Sequence, residues 1–390
     1  MHPSQELDRT TRESEYPVNL LLSMLNLYSP SGNENQVATF LESELGRNGL
    51  QTRRDSAGNV IGEIGTGRAR ILLCGHMDTV PGKLPVKIMD DHAYGRGAVD
   101  AKSSLASMIV ACVQAIRDRE SSFHATLVGV VEEETSTKGI QQLISDHQPF
   151  DLAIFGEPSG SRNVTIGYKG HLRVRLKCST KGGHSASPWI SKNSFDEAVK
   201  LWNKLESSCF MNDEASKFNV LTGSVTKMTA GDDTNTIPSS AQLDVDVRIP
   251  PGLTIESVEQ KITSVCKELE ENAESELVVS ASFGSRCPAF LGNNDSTIGR
   301  AFRMAIREAT GQQATLVKKT GTSDMNLLAE KYNIPMVAYG PGNSAFDHTD
   351  NEHVSIPEYL ESIRVTTMAI RNMVKLYRNS SFETATPLQH

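Results

Sequence analysis

The stretch Ala69-Arg-Ile-Leu-Leu-Cys-Gly-His-Met-Asp-Thr-Val-Pro81 decides the fold. Its first seven residues form a short apolar run closed by Gly75, which suits a strand buried on both faces. Two more such runs follow, Ala125–Val131 and Leu152–Gly156. Helical spacing marks Tyr16–Tyr28, Asn33–Asn48 and Ser103–Arg117, the last with Leu105, Met108, Ile109, Cys112 and Ile116 on one side. Asn59–Ile64 alternates like a strand. Strands interleaved with helices predict an α/β fold with a mixed, largely parallel sheet flanked by helices. The first fifteen or so residues show no period and are expected to be a loose end.

The pattern changes near Thr165. Ile166–Cys178 and Ala241–Ile249 alternate polar and apolar residues, as half-exposed strands do. Helices are expected at Ser194–Ser207 and Ile255–Ala273, and strands at Leu221–Lys227 and Leu277–Phe283. Strand, helix, two strands, helix, strand is the split βαβ order. It predicts a small α+β, ferredoxin-like unit inserted into the larger one. From Thr297 the first pattern resumes, with helices Thr297–Thr310, Asp324–Lys331 and Pro357–Tyr377 and strands Ala314–Lys318 and Pro335–Tyr339. The expected division is 1–165 and 289–390 for the larger domain and 166–288 for the inserted one.

Composition narrows the function. Lys and Arg number 39 against 47 Asp and Glu, a formal net charge of −8, which argues against a nucleic-acid binder. No run of about 18 apolar residues occurs, so no membrane span is expected. The polar N-terminus lacks the apolar core of a signal peptide, which points to the cytoplasm. Six cysteines without a CxxC pair read as reduced thiols, not as a disulfide frame or a thiolate zinc site.

Acids and histidines gather where strands are expected to end, the place where open α/β sheets bind ligands. His76 and Asp78 are two apart, so Asp78 could hold the second nitrogen of a metal-bound His76; a structural histidine beside an Asp cap is the plainer reading. Asp100, before a helix, suits a metal ligand or an N-cap. Glu132, Glu133 and Glu134 follow a buried strand and repel one another unless cations or hydrogen bonds compensate; a solvated acidic turn is the alternative. Glu157 and His348 complete the set. Together they offer imidazole and carboxylate without thiolate, which suits Zn²⁺ and also Co²⁺ or Mn²⁺, with enough acids for two ions and a free base.

These pieces resemble a family. GHMDTVP at 75–81, GRGAVDAK at 95–102, EEETSTKG at 132–139, GEPS at 156–159, GGHSASP at 182–188, NTIPSSAQLDVDVRIPPG at 235–252, GTSD at 321–324 and the His348 loop stand in the order found in the co-catalytic zinc amidohydrolases. That family includes acetylornithine deacetylase, succinyl-diaminopimelate desuccinylase, aminoacylase and glutamate carboxypeptidase. The resemblance implies a zinc-exopeptidase-like catalytic domain and an inserted dimerisation or lid domain. It implies that Asp100 bridges two metals, that His76 and Glu157 complete one site, and that Glu134 and His348 complete the other. Glu133 would be the general base, Asp78 would orient His76, and the Asp100–Ala101 peptide would be cis. The family usually shows Asp-Glu-Glu, so the triple Glu leaves a question of register, which alignment on Ser136 and Gly139 settles with Glu132 at the Asp position.

In the inserted unit, His184 resembles the histidine that reaches the neighbouring subunit's site. Asn235 and Arg248 resemble residues that hold the substrate's carboxylate end, and Gly321 and Thr322 lie where backbone groups line the pocket. Lys318–Asn326 and Met336–Gly342 look closest to hydrolases that release lysine or ornithine from the C-terminal γ-glutamyl group of an acidic amino-group carrier protein, in lysine and arginine biosynthesis. Lys318, Lys319, Lys169, Arg173 and Lys192 are then candidates for a basic docking patch. Asp324 is expected to receive a substrate amine or to cap a helix. The alternatives are a small-molecule N-acyl amino acid deacylase, a dipeptidase or carboxypeptidase of the same family, and a catalytically dead binding homologue, against which the intact ligand set argues.

Overall fold

The structure, a computed structural model, describes residues 3–117, 123–146, 150–210, 217–231, 234–273 and 276–380, with side chains from 15 to 377. The chain divides into two compact units. One is Met1–Ile166 with Gly292–Val317 and Leu327–His390; the other is Gly167–Leu291 with Lys318–Asn326.

The larger unit begins with α1 (Pro3–Asn26), α2 (Asn35–Arg47), β1 (Gln51–Arg54), β2 (Val60–Ile64) and β3 (Ala69–His76). Next come β4 (Lys87–Met89), β5 (His92–Tyr94), α3 (Lys102–Arg117), β6 (Phe123–Val130), α4 (Lys138–Ser145), β7 (Leu152–Phe155) and β8 (Asn163–Tyr168). The inserted unit holds β9 (Gly170–Ser179), β10 (Gly183–His184), α5 (Ser194–Ser208), β11 (Thr222–Ala230), β12 (Thr236–Ile237), β13 (Ser240–Ile249), α6 (Ile255–Glu271), β14 (Val278–Cys287) and β15 (Phe290–Leu291). The chain then runs through α7 (Thr297–Thr310), β16 (Thr315–Lys319), α8 (Asp324–Lys331), β17 (Met336–Ala338), β18 (His353–Ser355) and α9 (Ile356–Ser380).

The central sheet has the order β1-β2-β6-β3-β7-β17-β8. β6, β3, β7 and β17 run parallel, and the strands outside them are antiparallel. Every residue of β3 except Arg70 is buried, as expected for a strand covered on both faces. α3 departs from a one-sided reading: it is buried nearly all round, because α1 and α9 cover the side turned away from the sheet. Local signals agree with the packing at α7, where Ser296 accepts a bond from the Gly299 N–H and Gly311 closes the helix at φ +73°.

In the smaller unit the sheet order is β11-β13-β9-β14, antiparallel throughout. One face packs on α5 and α6 through Leu172, Val174 and Leu176 of β9 and Leu201, Leu205 and Ile262 of the helices. The other presents Arg173, Arg175 and Lys177.

Four details differ from the pattern reading. α1 starts at Pro3, so the expected loose end is helical through most of its length. Ile166–Cys178 is two strands, broken between Tyr168 and Gly170 where the buried Lys169 ammonium bonds the carbonyls of Lys217 and Val220 and the Thr222 hydroxyl. Lys169 is therefore no part of a basic surface patch. Lys318–Asn326 joins the inserted unit. Asn326 bonds the carbonyls of Lys169 and Pro288 there, a pairing distant in sequence that no local period reports. The strands β4, β5 and β18, of three residues each, are too short to show alternation.

Gly340 marks a close approach beneath the strand ends. A Cβ there would stand 2.0 Å from Ser104 Oγ and 2.8 Å from the Glu157 carbonyl oxygen. Gly340→Ala is expected to destabilise the larger unit by about 1–3 kcal/mol, read as a lower denaturant midpoint. An unchanged midpoint would contradict this packing.

Candidate active site

His76 is the last residue of β3, Glu132–Glu134 follow β6, Glu157 follows β7, and His348 lies in the loop after β17. Because these four strands are parallel neighbours, their carboxyl ends open on one edge of the sheet. Asp100 arrives there from the turn before α3, and its peptide bond to Ala101 is cis.

Two triads result. Ligand atoms of His76, Asp100 and Glu157 lie within 4.8 Å of one another, and so do those of Asp100, Glu134 and His348. Asp100 belongs to both. Its Oδ1 is 3.1 Å from His76 Nε2 and its Oδ2 is 3.1 Å from His348 Nε2, so each oxygen faces a different imidazole. His348 Nε2 also lies 3.1 Å from Glu134 Oε1.

The surroundings orient these groups. His76 Nδ1 is 3.0 Å from the Asp78 carbonyl oxygen and 3.5 Å from Asp78 Oδ1, which holds a proton on Nδ1 and turns Nε2 toward the centre. The Asp78 carboxylate, fully buried, does a second task. Its Oδ1 accepts the Glu133 N–H at 3.1 Å, and its Oδ2 accepts the Glu134 N–H at 3.2 Å and the Ser31 hydroxyl at 2.7 Å. Asp78 thus fixes both the imidazole and the acidic turn.

The three glutamates separate by what they touch. Glu132, at φ +55°, pairs with Lys138 and accepts the Ser136 hydroxyl. Glu134 faces His348. Glu133, half-buried, stands between them on a backbone held by Asp78.

Electrostatics match the crowding. Burial disfavours a charged His76, yet Asp100 and Asp78 outweigh it and raise its pKa well above the ordinary value. Asp100 and Glu134 push His348 up to about 10. Burial works against an ionised Asp100, but His348 and His76 hold its carboxyl far below the usual range. The site is deficient in positive charge, and protons and cations compete for it. The donor set fits two divalent ions sharing a carboxylate: imidazole nitrogen and carboxylate oxygen, no thiolate, and an Asp presenting one oxygen to each triad.

The other expected site residues lie in the inserted unit. His184 is exposed, and its Nδ1 accepts the Ala186 N–H at 3.1 Å, which leaves the proton on Nε2. Asn235 is exposed, its carbonyl bonded by the Ser185 N–H. Arg248 forks onto Asp246, at 2.7 and 3.3 Å. Gly321 is exposed and Thr322 half-buried, in the turn that Asn326 anchors. Asp324 is buried in the first turn of α8.

Sequence reading missed three contributors. Ser31 bonds Asp78, and the buried Glu34 accepts the Glu132 N–H at 3.1 Å. Glu352 is buried beneath the Asp100 turn. Each is a polar residue in an ordinary-looking stretch; only Glu352, four residues after His348, carried a spacing that could have drawn notice.

Known proteins share this sequence pattern and fold. The model of peptidase family M20/M25/M40 matches residues 72–372. A [LysW]-lysine hydrolase of Deinococcus radiodurans is 33% identical over 369 residues, covering 93% of this chain and 99% of its own. A putative [LysW]-lysine/[LysW]-ornithine hydrolase of Pyrococcus furiosus is 35% identical over 357 residues, covering 92% of this chain and 97% of its own. Among solved structures, a tripeptidase from Staphylococcus aureus shares the fold with a TM-score of 0.80 at 20% identity, covering 93% of this chain and 99% of its own. The chain belongs to peptidase family M20/M25/M40 and is a metal-dependent amidohydrolase.

Proposed function

We propose that this protein hydrolyses the amide joining lysine or ornithine to the C-terminal γ-glutamyl carboxyl of an amino-group carrier protein, in lysine and arginine biosynthesis. The observation that carries the chemistry is the pair of triads sharing Asp100, with Glu133 beside them. The full-length relatives named for LysW-linked lysine and ornithine support the substrate.

His76, Asp100 and Glu157 would hold one divalent ion and Asp100, Glu134 and His348 the other, Zn²⁺ in our reading, with Co²⁺ or Mn²⁺ suited to the same donors. Bound there, such a pair polarises the scissile carbonyl and lowers the pKa of water toward about 7. The Glu133 carboxylate takes a proton from the attacking water and returns it to the leaving amine. Asp78 keeps the Nδ1 proton of His76 in place and the Glu133 backbone at its station.

The protein acts as a cytoplasmic homodimer in this reading. His184 of the partner subunit donates an Nε2–H hydrogen bond to the oxygen that gains charge. The inserted unit serves as the dimerisation and lid domain. Asn235 and Arg248 hold the substrate's carboxylate end, where Arg248 still has donors beyond those given to Asp246. The backbone at Gly321 and Thr322 lines the pocket. The acidic carrier meets local basic surface; Arg173 and Lys318 are exposed, whereas no helix among the described residues is long and apolar enough to cross a membrane.

Substrate preference tests the reading. Carrier-linked lysine or ornithine is expected to give a higher kcat/KM than N-acetylornithine or a dipeptide panel, with a KM that rises with salt. Equal efficiency on the free acyl amino acid would overturn the carrier assignment. Glu133→Gln is expected to lower kcat by ~10²–10⁴-fold while metal uptake stays intact. Glu132→Gln should leave kcat within about twofold, since its partners are Lys138 and Ser136. The reverse pattern would shift the base by one residue. Asp78→Ala should weaken metal uptake by ~10–100-fold in a chelator competition; wild-type affinity would contradict its orienting role.

A further inference from the structure

Beneath the centre lies an ion pair that the hydrolytic reading leaves unused. Glu352 is 1% exposed and Arg96 6% exposed. Glu352 Oε1 accepts three backbone N–H groups, from Gly97 at 3.0 Å, Val99 at 2.9 Å and Asp100 at 3.1 Å. Its Oε2 meets Arg96 Nη1 at 2.9 Å, and its own carbonyl accepts the Gly95 N–H at 3.3 Å. The turn that delivers Asp100 is therefore wound around a single carboxylate. Arg96 extends the links: Nη1 donates to the Thr349 carbonyl at 3.1 Å and Nε to the Gly82 carbonyl at 2.9 Å.

The sequence positions give these bonds a meaning. Arg96 is four residues before Asp100, Glu352 is four residues after His348, and Thr349 is next to His348. The pair thus joins the two loops that deliver Asp100 and His348, residues 248 apart in the chain, and ties in Gly82 just beyond the His76–Asp78 segment. We propose that Glu352 and Arg96 are positioning residues: a buried clasp that sets the separation of Asp100 from His348 and thereby the metal affinity of the centre.

Stability alone does not account for such a pair. Two charges taken from water are stabilised little beyond a well-packed apolar pair, and often less. What the pair supplies is direction. Three N–H groups converge on one oxygen and hold a turn containing Gly95 and Gly97, at φ +153° and +87°, in one conformation. Ligand geometry tolerates errors of only about 0.5 Å, and groups that orient ligands typically govern metal affinity by ~10–100-fold.

The inference rests on the two-ion reading of the site, and metal binding separates the two. Wild type, Glu352→Gln, Arg96→Gln and Glu44→Gln are titrated with Zn²⁺ against a chromophoric chelator and with Co²⁺ by visible absorption. Thermal unfolding in chelator reports the fold independently. Glu44 is the control, a buried carboxylate on α2 that accepts the Tyr16 hydroxyl and lies outside both ligand loops. Wild type and Glu44→Gln are expected to take up two ions with equal affinity. Glu352→Gln should bind them ~10–100-fold more weakly, with an altered Co²⁺ spectrum. Arg96→Gln keeps the three backbone bonds to Oε1 and should lose less; it carries the test if Glu352→Gln does not fold. A folded Glu352→Gln or Arg96→Gln with wild-type affinity and spectrum would overturn the clasp. Failure of the wild type to bind two ions would instead overturn the reading of the centre.

Discussion

Carboxylates do not gather without cause, and their mutual repulsion is the constraint on which this structure turns. Asp78, Asp100, Glu133, Glu134 and Glu157 meet where four parallel strands end. Two like charges about 4 Å apart repel by ~4 kcal/mol at an effective dielectric of about 20. Hydrogen bonds absorb part of this: three donors and an imidazole stabilise the ionised Asp78, and Glu132 pairs with Lys138. The remainder is left to His76, His348 and whatever cations the site holds. Two divalent ions bring four charges to five carboxylates, so the acidity of a chain with net charge −8 is in part a cation site written in its sequence.

The scaffold answers this constraint with geometry. Parallel strands aim their carboxyl ends the same way, so candidate ligands spread from residue 76 to 348 reach one place without long excursions of the chain. Short polar anchors then take over. Asp78 couples the β3 end to the turn after β6, and Glu352 with Arg96 couples the Asp100 turn to the His348 loop. Strand ends bring the candidate ligands to one edge of the sheet, and these buried bonds tie together the turns that carry them.

Much of this was legible in the residues. Apolar runs and helical spacing report burial directly, so the parallel core, its helices and the split βαβ unit could be read from local pattern, and the residues it singled out, His76, Asp100, Glu134, Glu157 and His348, are brought together by the fold. What stayed hidden depends on contacts between distant positions. Lys169 reads as surface charge and is buried, because its ammonium satisfies carbonyls near residue 220. Lys318–Asn326 joins the inserted unit through Asn326, not through any period of its own. Ser31 and Glu34 look ordinary, since a single polar residue announces a partner only once the fold supplies it.

The central claim is a single binuclear centre bridged by Asp100, and stoichiometry tests it most directly. Wild type and Asp100→Asn, each stripped with chelator and shown to be folded, are titrated with Zn²⁺ and the bound ions per chain counted. The account predicts two tight ions in the wild type and the loss of both on removing the one charge they share. A wild type that holds a single ion, or an Asp100→Asn variant that keeps one at undiminished affinity, would contradict it.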